Sequence, residues 1–165
     1  MSIVALVGDI DTACNISSRR VLCNILFDAA LDEVWPVADS FTLAYVECAL
    51  WSSNDYSDEP LDANYSVDDL APETWCKVIA DCLKFQRDNR ELLEQAYAVE
   101  GPQSIREGCY DDEHAGYDFW LTRLGHGAGF WDRGLGSVGD KLTEACKKFG
   151  ECYPYVGDDG QIYID

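Results

Sequence analysis

Ala115–Gly136 reads AGYDFWLTRLGHGAGFWDRGLG, with two tryptophans, two arginines, one histidine, two aspartates and six glycines in 22 residues. The conformation of this stretch decides the fold class. YDFWLTR carries aromatic and aliphatic residues of strand type. GHGAG is a glycine-rich connection, and GFWDRG reads as a second strand. Together they predict a β-hairpin over 117–133 with a loop longer than two residues. In its first strand Asp118, Trp120 and Thr122 would share one face, and Phe119, Leu121 and Arg123 the other.

The rest of the C-terminal third continues the pattern. Ser137, with Asp140 three residues on, predicts a capped helix on which Val138, Leu142, Cys146 and Phe149 form one stripe. Lys147 and Lys148 sit at its negative end and Gly150 stops it. CYPYV and QIYI flank GDDG, which predicts a second hairpin with an Asp-Gly turn. Towards the N-terminus, Phe41–Trp51 (FTLAYVECALW) is apolar nearly all round and predicts a central helix capped by Ser40. Pro72 opens a third helix, with Trp75, Ile79, Cys82, Leu83 and Gln86 on one stripe, which continues or restarts through ELLEQAY. Ser18–Val34 predicts the first helix, capped by Ser17 or Ser18 and ended by Pro36, and Ser2–Val7 a short strand. Ser52–Glu73 is too polar for a core element and reads as an ordered loop pinned to the surface by its tyrosines and leucine. The expected fold is α+β, with about four helices on a small antiparallel sheet built from two C-terminal hairpins. One domain spans 1–165, with 40–165 as its core and 1–39 as a possible N-terminal extension.

Charge narrows the function classes. The 165 residues hold 31 acids and 12 bases, a formal charge of −19. Such a surface repels nucleic-acid phosphates and anionic membranes and attracts basic protein surfaces; solubility alone is the plainer explanation. From Val21 to Cys76 there is no Lys or Arg and there are twelve acids. Carboxylates spaced in this way either imitate the charge spacing of a DNA backbone or form ordinary solvated faces. No stretch reaches the roughly 18 apolar residues of a membrane span. Ser2–Val7 is too short for a signal peptide and no base precedes it, so the expectation is a cytoplasmic protein. The eight cysteines include no CxxC pair and no zinc spacing, and read as reduced core residues.

Two chemistries are open for the 117–133 stretch. Arg123 and Arg133 could pair with Asp118 and Asp132 and hold the hairpin in register. Alternatively, Trp120, Arg123, His126, Trp131 and Arg133 could form a nucleotide pocket, with rings for stacking and guanidinium forks for phosphate. An enzyme would have to draw on His114 or His126 with Asp111, Asp112, Asp118 or Asp132. No established catalytic motif is present, so no catalytic residue, cofactor or metal is expected.

AYVECALWSSND, PLDANY, DLAPET, YDFWLTRLGHGAGFWDRGLG and YVGDDGQIY together resemble a family of small uncharacterised proteins encoded by tailed bacteriophages. In that family an ALWS…DLAPE block accompanies a DFWLTRNGHGAGFWDR block. The likeness covers roughly Phe41–Ile164. Leu124 departs from the family's Asn, which with the following glycine would favour a tight hairpin turn. The resemblance implies a phage accessory protein, made in the host bacterial cytoplasm and acting by binding. The leading expectation is an acidic, DNA-mimic-like inhibitor of a host DNA-acting or defence enzyme. Its partner would be a host protein with a basic surface. Its contact surface would comprise Asp55, Asp58, Glu59, Asp62, Asp68, Asp69 and Glu73. A nucleotide sponge acting through the 117–133 hairpin is the alternative, and a small hydrolase using His114 or His126 the lesser one. Neither direct nucleic-acid binding nor membrane attachment is expected.

Overall fold

Asp39, not Ser40, caps the first described helix, α1 (Ser40–Trp51): its carboxylate accepts from the Thr42 N–H at 2.8 Å. The shorter Ser40 side chain falls inside the first turn. The second carboxylate oxygen of Asp39 accepts from Gln86 Nε2 at 2.9 Å, which ties the start of α1 to the next helix. Phe41, Tyr45, Val46, Cys48 and Ala49 of α1 are buried, as expected of a helix apolar nearly all round. The computed structural model describes residues 38–99, 109–125 and 127–165. The strand expected at Ser2–Val7, the helix expected at Ser18–Val34 and the status of 1–37 as an extension lie outside the described residues, as do Cys14, Cys23 and His126.

Helix α2 (Pro72–Asp88) begins at the expected proline and is followed after Asn89 by α3 (Arg90–Tyr97). The buried stripe of α2 is Thr74, Trp75, Val78, Cys82 and Phe85. It is rotated from the expected one because Phe85, left out of that reading, is the side chain stacked on Phe119 at 4.1 Å.

The first of the two expected hairpins is not a hairpin. Asp112–Leu124 forms helix α4. Asp111 caps it by accepting from the His114 N–H at 3.1 Å, and Asp112 and Glu113 complement the positive end of its dipole. Gly125, at φ +71°, ends it in the left-handed conformation. Strand-type residues fold as a helix here because the segment is buried on several sides, and tertiary burial outweighs intrinsic preference. Ala115, Asp118, Phe119, Trp120, Leu121 and Arg123 are all buried. GFWDRG is a loop holding a short 3₁₀ turn, Phe130–Asp132.

α5 (Ser137–Cys146) follows, with Gly136 rather than Ser137 at the cap position and no side-chain cap bond. It runs into a 3₁₀ turn, Lys147–Phe149, stopped at Gly150. The second expected hairpin is present: β1 (Pro154–Val156) pairs antiparallel with β2 (Ile162–Ile164) in the register Tyr155↔Tyr163. Gly160, at φ +79°, supplies the left-handed position after Asp159. The described residues are thus α+β, with five helices and a two-stranded antiparallel sheet.

The core is aromatic. Phe41, Tyr45, Phe85, Phe119, Trp120 and Phe130 are fully buried, and Phe149 closes edge-on against Phe119 at 5.2 Å. Cys48, Cys82, Cys146 and Cys152 are buried free thiols; Cys76 is half-buried and Cys109 exposed. Burial pushes the Cys48 thiol up to about 12, so it stays protonated and inert at neutral pH.

Candidate functional site

Of the five residues expected to clamp a nucleotide, the four that are described do not converge on one opening. Trp120 is fully buried, and its Nε1 donates to Ser52 Oγ at 2.8 Å. Arg123 is also a core residue. Its Nε and Nη2 donate to the carbonyls of Gly150 and Phe149 at 3.2 and 3.1 Å. Its Nη1 donates to Tyr45 Oη at 2.8 Å and to Asp81 Oδ2 at 3.0 Å. Its guanidinium carbon lies 5.4 Å from the Phe119 ring centre and 5.8 Å from that of Phe149. Arg123 therefore caps the carbonyl end of the α5 region from inside an aromatic box. The sequence reading paired it with Asp118 or Asp132; the partner is Asp81, on α2.

Arg133 does find Asp118, by Nε at 2.7 Å, and lies 3.8 Å from Asp132. Asp118 is fully buried and accepts a second bond from Tyr110 Oη at 2.8 Å. Burial pushes the Asp118 carboxyl up, and Arg133 and Tyr110 offset part of that shift. This polar cluster joins the start of α4 to the loop after it. Trp131 is exposed, and His126 lies outside the described residues. His114, in the first turn of α4, donates its backbone N–H to the Asp111 cap, with its Nδ1 2.6 Å from Asp111 Oδ1 and its ring against Tyr110. Partial burial opposes it, but bonds from the His114 backbone and ring hold Asp111 below the usual carboxylate range. No cluster of three or more His, Cys, Asp or Glu among the described residues could hold a metal ion. A shallow groove beside α2 and α3 is lined by Gln86, Arg90, Tyr97 and Asp112, and these are already engaged with Asp39, Glu94 and one another.

The acidic segment is better ordered than its composition suggests. Asn54 bridges to Pro60, and Asp55 N donates to Glu59 O at 2.8 Å. Asp55 Oδ1 accepts from the Ser57 and Glu59 N–H groups at 2.7 and 3.2 Å. Asp58 takes φ +63°, and its carboxylate accepts from Asn54 Nδ2 at 3.0 Å. Asp69 accepts from Ser66 N and Oγ at 2.7 and 3.0 Å and closes a capping box. Leu61 and Leu70 are the buried pins.

Two contacts fasten this loop to the C-terminal hairpin. Ala71 N donates to Ile162 O at 2.9 Å, beside a Leu70–Ile162 bridge. Tyr56 Oη donates to Val156 O at 3.1 Å. Of the seven acids singled out from sequence, Asp55 and Asp69 therefore build the loop. Asp58, Glu59, Asp62, Asp68 and Glu73 are exposed. None of the seven makes an ion pair within the described residues, whereas Asp81, Asp88 and Glu94 on the helices do. The hairpin's share of this surface is not legible in the sequence, since it depends on contacts between distant segments: the Leu70–Ile162 bridge with its Ala71 bond, and the Tyr56–Val156 bond.

Comparison with protein-family models, with curated proteins and with solved structures gave no match. No helix among the described residues is long and apolar enough to cross a membrane.

Proposed function

We propose that the protein is a phage accessory factor that counters a host system in the bacterial cytoplasm by binding. It acts as an acidic decoy for the basic DNA-binding surface of a host DNA-acting or defence enzyme. One observation carries this reading: Asp58, Glu59, Asp62 and Asp68 are exposed on a loop held by its own hydrogen bonds, with Glu73 exposed beside it in the first turn of α2, and none of them is ion-paired with a basic side chain among the described residues. Fixed carboxylates lose little conformational freedom on binding, and a basic groove provides the counter-charge that the described residues do not. The resemblance of 41–164 to phage-encoded proteins supports the setting. The nucleotide-sponge alternative gains nothing from Trp120 and Arg123, which are buried and fully engaged. The hydrolase alternative gains nothing from His114, which is paired with Asp111.

The test is inhibition of purified host restriction, CRISPR and topoisomerase activities. One activity should be inhibited in competition with DNA, and salt should relieve the inhibition. Replacing Asp58, Glu59, Asp62 and Asp68 by their amides should weaken inhibition at least about tenfold, close to 1.4 kcal/mol, with the melting temperature kept. Asp55 and Asp69 are left in place because their carboxylates bond the loop's backbone N–H groups, whereas an amide at position 58 can still accept from Asn54. Inhibition that survives the fourfold change would overturn the decoy reading.

A further inference from the structure

The hairpin has two different faces. Ile162 and Ile164 point into the core, whereas Tyr155 and Tyr163 stand opposite each other on the outer face. Their rings stack at 5.5 Å with an interplanar angle of 19°. Gly157 makes this possible, because a Cβ there would lie 2.5 Å from the Tyr163 ring. Tyr56 reaches the same strand through its bond to Val156 O and is 87% exposed. Tyr153, also exposed, continues the face and donates to Glu151 at 2.7 Å.

The charged groups acting most strongly on Tyr155 and Tyr163 are Asp165, Glu73 and Asp159, and none is positive. Tyr163 Oη donates to Asp159 at 2.8 Å, and that bond pushes its phenol up to about 12. The phenols therefore remain neutral, electron-rich rings at neutral pH, surrounded by carboxylates.

Carboxylates alone attract any cation, and rings alone attract any apolar group. The two together select a flat, weakly hydrated cation, because a guanidinium can lie on a ring while its fork reaches a carboxylate. A second copy of the chain is a poor occupant, since each copy carries −19. We propose that Tyr56, Tyr155 and Tyr163, rimmed by Glu73, Asp159 and Asp165, receive an arginine side chain from a basic protein segment. This rests on the reading of the partner as a basic protein surface, and it assigns the aromatic anchor point within that contact.

The test uses the full-length protein and two synthetic peptides. One has four arginines spaced by glycine and serine; its counterpart has lysines at the same positions. Calorimetry at fixed ionic strength should show the arginine peptide binding several-fold tighter than the lysine peptide. Tyr56→Ala combined with Tyr155→Leu should remove that preference and weaken the arginine peptide about tenfold, a typical effect of losing ring contacts to a cation. Leucine keeps an apolar side chain on the strand, and Tyr56→Ala alone, in the loop, should already lose part of the preference if the double variant folds poorly. Asp62→Asn with Asp68→Asn should weaken both peptides equally. Equal binding of the two peptides to the wild type, or a preference that survives loss of the tyrosines, would sink the proposal. So would self-association by sedimentation that the tyrosine changes abolish. Inhibition lost in the fourfold amide variant but kept in the tyrosine variant removes this anchor while the decoy reading stands. Peptide selectivity without any inhibited enzyme does the reverse.

Discussion

Arg123 is a permanently charged group with a side chain only 2% exposed, so its neighbours must replace water on every side. They do so with two carbonyls, a phenol, a carboxylate and three aromatic faces. Arg123→Ala would leave Asp81 and the Phe149 and Gly150 carbonyls without their donor. Urea denaturation should show a loss of about 3 kcal/mol, the low end for a broken buried pair because Asp81 stays partly hydrated. Arg123→Lys keeps the charge but cannot serve four acceptors from a plane, so it should recover only part of that loss. The sequence showed that an arginine among aromatics needs a partner. It did not show which, because Asp81 is 42 residues away on another helix. Asp118 and Arg133, only 15 residues apart, were among the pairings the sequence offered.

At the level of elements, α1 and α4 meet at Gly116, where a Cβ would lie 2.2 Å from the Phe41 carbonyl oxygen and 3.1 Å from Ala44 Cβ. Two opposing effects follow from Gly116→Ala. Helix propensity favours alanine by up to about 1 kcal/mol. Forcing two packed helices apart costs roughly 1–3 kcal/mol, and the contact is with backbone, which cannot swing away. The clash should win, and thermal unfolding should show a lower midpoint. α2 and the C-terminal hairpin were legible because proline and glycine act locally: Pro72 fits the first helical turn and Gly160 the left-handed turn position. α4 was not legible as a helix. Phe119, Trp120 and Leu121 carry strand preference, and a helix buried on several sides shows no clean 3.6-residue stripe. The caps at Asp111 and Gly125 were the available signal, and the glycines that follow drew attention to a turn instead.

Over the whole molecule the charge sets the behaviour. Thirty-one acids against twelve bases repel one another more in the compact state than in the unfolded chain. Raising NaCl from about 20 mM to about 300 mM shortens the screening length and should raise the melting temperature by a few degrees, measurable by calorimetry. The same salt should weaken partner binding, so stability and inhibition should move in opposite directions along one titration. The sequence by itself determined the acidic character, the absence of bases over Val21–Cys76, the central place of the apolar helix α1 and the elements marked by proline and glycine. These depend on composition and on contacts within a few residues. Only the tertiary structure decided that the first strand of the expected ligand hairpin is a buried helix and the second a loop, that Arg123 belongs to the core, and that the acidic loop and the Tyr155–Tyr163 face form one surface. Each of these rests on side chains distant in sequence, whose burial and pairing outweigh local preference.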